Sequence, residues 1–155
     1  PGRDEPFDVS VTRGVIELEP VTHELMPGNI GHIMVNEFSR DVGSDVFGAW
    51  EDLQKNATGR LNGLVLDLRS NPGGSLDEAV ALSDLFLSDG RIVSQRGRAR
   101  GENISYDAET VFRGDIAEGV PIVVLIDAGS ASASEIVAGA LQDHRRAIVV
   151  GTKSF

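Results

Sequence analysis

Apolar and polar positions alternate along residues 5–21, EPFDVSVTRGVIELEPV, through Phe7, Val9 and Val11 and then Val15 and Ile16. That period of two predicts a strand, a kink and a second strand. MPGN at 26–29 predicts a turn, and IGHIMV at 30–35 a short, mostly apolar strand. The period then changes. In SDVFGAWEDLQKN, Val46, Phe47, Trp50 and Leu53 recur at helical spacing behind a candidate cap at Ser44, and Gly59 lies just past the end. A nearly continuous apolar run at 64–68 follows, the pattern of a strand buried on both faces. After a turn comes an amphipathic helix carrying Leu76, Val80 and Leu87, which Gly90 stops. RIVS at 91–94 predicts a short strand, and the polar, Arg-rich and Gly-rich stretch 96–109 a surface excursion. PIVVLID at 121–127 is a second buried strand, AGSASASEIVAGALQDH a small-residue turn running into a helix, and AIVVG at 147–151 a third buried strand. Strand and helix alternate, which predicts an α/β domain built on parallel strand-helix crossovers.

Composition narrows the classes of function. The 155 residues suffice for one main domain, and 41% hydrophobic with 25% charged residues is a globular balance. No apolar run approaches the roughly 20 residues of a membrane span, and the first ten residues have neither the basic nor the apolar region of a signal peptide. The formal charge of -10 repels phosphate backbones, so nucleic acid is not an expected partner. The chain has no cysteine, and His23, His32 and His144 fall in no metal-ligand spacing. Neither a metal nor another cofactor is expected.

Candidate chemistry lies in two strand-to-helix turns. Ser132 stands in GSASASE, after a buried strand and at the mouth of a helix, where a hydroxyl is exposed and free helix N–H groups point toward it. Ser132 and Glu135 also fit a capping box. In NPGG at 71–74, two glycines after a central strand let the backbone present N–H donors to a developing oxyanion. Asp67 and Arg69 flank that turn as an ion pair or backbone anchor. A nucleophilic serine needs a base. His144 lies twelve residues along the same predicted helix, about 18 Å away along its axis. His23 and His32 belong to the first strands, so a Ser-His-Asp triad has no positive support; a lysine base remains, with Lys55 and Lys153 the two lysines of the chain.

GLVLDLRSNPGGSLDEAVALSDLFL, GRIVSQRGR and PIVVLIDAGSASASEIVAGALQDHRRAIVVGTKSF together resemble the carboxyl-terminal processing peptidases, or tail-specific proteases, over nearly the whole chain. EPFDVSVTR looks like the exit of that family's peptide-binding PDZ domain. The resemblance implies a Clp-protease/crotonase-like core at 17–155, preceded at 1–16 by the end of a truncated PDZ domain and a connecting strand. It implies hydrolysis of peptide bonds near the apolar C-terminal tails of protein substrates, on the periplasmic or cell-envelope side of a bacterium. It assigns Ser132 as nucleophile, with an oxyanion hole from the N–H of Ala133 and one from Gly73 or Gly74. The family's base is a lysine in a Gly-Lys-Gly string after a Thr-Phe or Ser-Phe pair. Ser154-Phe155 is that pair, so the expected base lies beyond Phe155, Lys153 falls at a surface position, and the 155-residue chain is expected to be inactive. His32 departs from the aromatic residue common in this strand. Two other readings share the fold: a module that binds tails without cutting them, and an acyl-CoA-processing enzyme of the crotonase type, which would not need Ser132.

Overall fold

The computed structural model describes residues 10, 12, 14, 19–98, 103–109 and 114–155. Phe7, Val9, Val11, Val15 and Ile16, on which the first strands and the PDZ exit were expected, lie outside the described residues. Seven strands and three helices follow among those described: β1 (Val21–Met26), β2 (Ile30–Val35), α1 (Val42–Asn56), β3 (Gly63–Asp67), α2 (Leu76–Asp84), β4 (Arg91–Gln95), β5 (Ile104–Asp107), β6 (Ile122–Ile126), α3 (Ala133–Asp143) and β7 (Ala147–Gly151). The main sheet has the order β1-β2-β3-β6-β7. β1 is antiparallel to β2, and the remaining neighbours are parallel. The expected parallel crossovers form, and the fold is mixed α/β.

Burial corrects the strand reading. β2 and β3 alternate, with Ile33, Val35, Leu64 and Leu66 buried and His32, Met34 and Val65 only partly covered. Leu64 and Leu66 therefore share one face with Ile122 and Val124 of β6. That face packs with the helices, so the strands are not buried on both sides. On the opposite side of β7, Ile148 and Val150 are exposed. Continuous apolar sequence does not by itself distinguish two-sided burial from a sheet with one covered face.

Three boundaries also move. α1 starts at Val42, ahead of the expected cap at Ser44, because its free N–H groups find acceptors elsewhere. The carboxylate of Glu78 in α2 accepts from Asp41 N–H and Gly43 N–H, both at 3.0 Å. Gly43 permits the two helices to meet: a Cβ there would lie 2.9 Å from that of Ala81. α2 ends at Asp84, so Leu87 lies outside it; Leu85, Phe86 and Leu87 are all buried, in a tightened turn where Phe86 N–H donates to Ser83 O. The stretch 96–109 is at the surface but not wholly irregular. It contains β5, paired antiparallel with β4 and pinned by Arg91 and Asp107 at 3.1 Å.

The helix junction has a direct test. Removing both acceptors with Glu78→Ala leaves two N–H groups at the start of α1 without their partner, a loss of about 1–2 kcal/mol. A lowered urea midpoint at unchanged slope is the expected result.

Candidate active site

Three serines at alternate positions after β6 have different fates. Ser130 and Ser134 are fully buried, whereas Ser132 between them is exposed. Ser130 Oγ donates to Leu68 O at 2.7 Å and accepts from Asp127 N–H at 2.9 Å. Ser134 Oγ donates to Asn71 O at 2.9 Å. Both hydroxyls are turned inward onto the chain that leaves β3. The residue between them is forced outward, at φ 55° and ψ −112°. That combination belongs to the first central position of a mirror-type turn, which glycine adopts readily and serine does not. Ser132 thus presents its side chain at a sharp strand-to-helix turn, the geometry of a nucleophile elbow. The Glu135 half of the capping box expected from the sequence forms, with Glu135 Oε2 accepting the Ser132 N–H at 2.9 Å, while the Glu135 N–H donates to the Ser132 carbonyl at 2.9 Å.

The 71–74 turn is pressed against this elbow. Asn71 is fully buried. Its Nδ2 donates to Val35 O and its Oδ1 accepts from Gly73 N–H, each at 2.8 Å, while its carbonyl accepts from Ala131 N–H at 3.1 Å and from Ser134 Oγ. A Cβ on Gly73 (φ 101°) would stand 2.8 Å from Ser132 Cβ and 2.9 Å from Ala133 N, so a larger residue cannot occupy it unchanged. Gly73 O accepts from Phe38 N–H at 2.9 Å. The same peptide unit carries the Gly74 N–H. Because no peptide bond among the described residues is cis, that N–H points opposite to the carbonyl, away from Phe38. No hydrogen bond among the described residues engages the N–H of Gly74 or of Ala133.

Carboxylates brace the strand ends. Asp127 Oδ1 accepts from Ser70 N–H at 2.7 Å and Gly129 N–H at 2.8 Å, and Oδ2 from Ser70 Oγ at 3.1 Å. The Ser70 N–H is the main cause that holds this carboxyl below its ordinary range, against a smaller desolvation cost. Asp67 and Arg69 form the expected ion pair, Nη2 to Oδ2 at 2.6 Å, and Asp67 also anchors the Arg69 N–H. Burial works against the charge of Asp67, but the bonds from Arg69 and His32 outweigh it and hold its pKa down. His32 bridges Asp67 and Glu24, both at 3.2 Å.

The histidines have other occupations. His144 closes α3 with Nε2 against Arg91 O at 2.8 Å, and His23 is exposed on β1. Lys55 pairs with Asp52 at 3.2 Å in the last turn of α1, and Lys153 is exposed. After β7 the chain returns to the elbow: Ser154 Oγ donates to Glu135 Oε1 at 2.8 Å and Phe155 N–H to Ser130 O at 3.0 Å. The structure therefore brings together Ser132, Ala133, Gly73 and Gly74. Asn71, read from the sequence only as part of a turn, is the residue that joins them; its signal is a polar amide that opens the Pro-Gly-Gly turn after β3.

Comparison with known proteins agrees in direction. Residues 29–155 match the family described as Peptidase family S41. The chain is 48% identical over 155 residues to a carboxy-terminal-processing protease of Bartonella bacilliformis, covering 99% of this chain and 35% of that protein. It is 39% identical over 158 residues to the carboxyl-terminal-processing protease of a Synechocystis species, with coverage of 99% and 35%. The chain thus spans about a third of the length of these relatives. Among solved structures, the photosystem II D1 C-terminal processing protease superposes with a TM-score of 0.75 at 30% identity, over 93% of this chain and 39% of that one.

Two measurements probe this geometry. Ser132→Gly should raise stability by about 1 kcal/mol through relief of backbone strain, while Ser130→Ala and Ser134→Ala should each lower it by about 1–3 kcal/mol by stranding buried partners. Denaturant unfolding at neutral pH reads all three. Because Asp127 has a depressed pKa in the folded state, its contribution is complete above the unfolded value of about 4 and is lost as pH falls through the folded one. Asp67 has the same sign. Stability followed from pH 5 downward should fall less steeply in Asp127→Asn than in the parent.

Proposed function

The chain belongs to peptidase family S41, and from that premise we propose that it is the catalytic core of a serine endopeptidase that cleaves protein substrates near apolar C-terminal tails. The observation that carries this reading is the strained, outward Ser132 elbow beside two unengaged backbone N–H groups. Ser132 Oγ attacks the scissile carbonyl carbon as a neutral lysine takes its proton; the carbonyl oxygen becomes the oxyanion. The C–N bond then breaks, the lysine returns the proton to the leaving amine, and water hydrolyses the acyl-serine by the same route.

Ala133 N–H is one oxyanion donor. Elimination supports Gly74 as the other: Pro72 has no N–H, the Gly73 N–H is committed to Asn71, and the Gly74 N–H points away from Phe38 on an exposed residue. Gly73 serves by being small, which lets the turn approach Ser132. The base is a lysine following Phe155 in the longer protein. The return of Ser154 and Phe155 to the elbow supports this, since residues continuing from Phe155 start beside Ser130. Lys153 remains a surface residue, and residues 1–16 are the end of a truncated PDZ domain and a connecting strand. The periplasmic or cell-envelope side of a bacterium is the corresponding location.

The test uses the full-length protein and a peptide with an apolar tail. Ser132→Ala should lower turnover by about four orders of magnitude or more with the fold retained. Gly74→Val places a Cβ 2.4 Å from Phe38 O and should lower kcat about 100- to 1,000-fold. The lysine after Phe155, changed to Ala, should abolish cleavage, whereas Lys153→Ala should leave it unchanged and the 155-residue chain should be silent. Full cleavage by Ser132→Ala would sink the reading. Turnover of an acyl-CoA thioester that survives Ser132→Ala would favour the crotonase-type alternative, and tail binding without cleavage by the parent would favour a binding module.

A further inference from the structure

We propose that Asn71 is a positioning residue for catalysis, setting the oxyanion donor on Gly74 and its distance from the nucleophile; this rests on the reading of Ser132 given above. Asn71 has no exposed surface, so water cannot substitute for any of its partners. Each of its polar groups is committed. The amide orientation follows from the partners, since a carbonyl at Val35 requires the nitrogen end and an N–H at Gly73 requires the oxygen end. The main-chain N–H donates to Leu68 O at 3.3 Å, and the carbonyl receives both Ala131 N–H and Ser134 Oγ.

Three constraints follow from these bonds. The side chain draws the Gly73 N–H inward, which leaves Gly74 as the donor of the turn. Phe38 holds Gly73 O on the other side, so Gly73 is gripped at its N–H by Asn71 and at its carbonyl by Phe38, and the 73–74 peptide that carries the Gly74 N–H starts from a residue fixed at both ends. The Asn71 carbonyl meanwhile grips the chain on both sides of Ser132, at Ala131 and Ser134. Donor and nucleophile come from separate turns, and Asn71 is bonded within one and to both flanks of the other. Small displacement of such a donor costs rate without costing ground-state binding, because the oxyanion exists only after attack.

Smaller side chains do not serve both ends. Alanine frees the Gly73 N–H and leaves Val35 O unpaired. Serine can still accept from an N–H two residues on, more weakly, but is too short to serve Val35 as well.

The experiment compares full-length parent, Asn71→Ala, Asn71→Ser, Ser134→Ala and Ser132→Ala for peptide turnover and for the end-point of Ser132 labelling by a fluorophosphonate. The end-point counts competent sites, so kcat is expressed per labelled site, and a loss due only to unfolding disappears. Asn71→Ala should show kcat per site down about 100-fold with KM within about threefold of the parent. Asn71→Ser should recover part of that loss, to about tenfold below the parent, and Ser134→Ala should show a similar intermediate loss. Parent-like kcat per site in Asn71→Ala overturns the proposal; should that variant not fold, parent-like values in Asn71→Ser and Ser134→Ala overturn it. Turnover that survives Ser132→Ala removes the premise itself, and is read from that variant independently of the Asn71 and Ser134 variants.

Discussion

The site depends on the satisfaction of polar main-chain groups where two turns meet out of contact with water. Turns carry unpaired N–H and C=O groups, and burying them costs free energy unless each finds a partner. Here Asn71 supplies several of those partners at once, to Val35 at the end of β2, to Gly73 in its own turn, and to Ala131 and Ser134 on either side of Ser132. Three strand ends are thereby placed around one buried amide. The parallel order β2-β3-β6 brings those ends to the same edge of the sheet. With β3 and β6 in register, the turns that follow them have little choice but to touch.

That contact accounts for the strain at Ser132. A serine at φ 55° costs about 1–3 kcal/mol relative to a relaxed backbone. The neighbouring hydroxyls of Ser130 and Ser134 are worth a comparable amount, because each pairs a buried carbonyl on the opposite turn. The alternation of serines is thus a division of labour. Two turn inward and hold the turn closed, and the one between them is left exposed in a conformation it would not choose. Gly73 lies against this turn at the Ala131 carbonyl, the Ser132 Cβ and the Ala133 nitrogen, which leaves no room there for a side chain.

The electrostatics differ from what net charge alone suggests. The protein carries a formal charge of -10, yet the two N–H groups left without a partner among the described residues near the Ser132 turn, those of Gly74 and Ala133, are neutral dipoles that need no counter-ion. The carboxylates nearby are spent on structure: Asp127 on Ser70 and Gly129, Asp67 on Arg69 and His32, and Glu135 on the Ser132 N–H and Ser154. Glu135 also links the elbow to the segment that returns after β7, so Ser132 and Ser154 share one carboxylate.

Local pattern determined much of this molecule: the strands β2, β3, β4, β6 and β7, the three helices, the turn at 26–29 and the Glu135 half of the capping box are all consequences of periodicity and short-range hydrogen bonding. β1 is exposed at all but Val21 and carries no clear apolar alternation, and the four residues of β5 are too few to stand out against an Arg-rich and Gly-rich stretch. Tertiary structure decided the rest. The start of α1 depends on Glu78, which is more than 30 residues away, and one face of the sheet is covered where the apolar runs suggested two. The difference between Gly73 and Gly74 is invisible in NPGG, because it is set by Asn71 on one side and Phe38 on the other. Asn71 itself reaches partners 36 and 63 residues distant. Periodicity reports which residues favour an element and which face they share, whereas the direction of a single N–H is fixed by whatever the fold brings opposite to it.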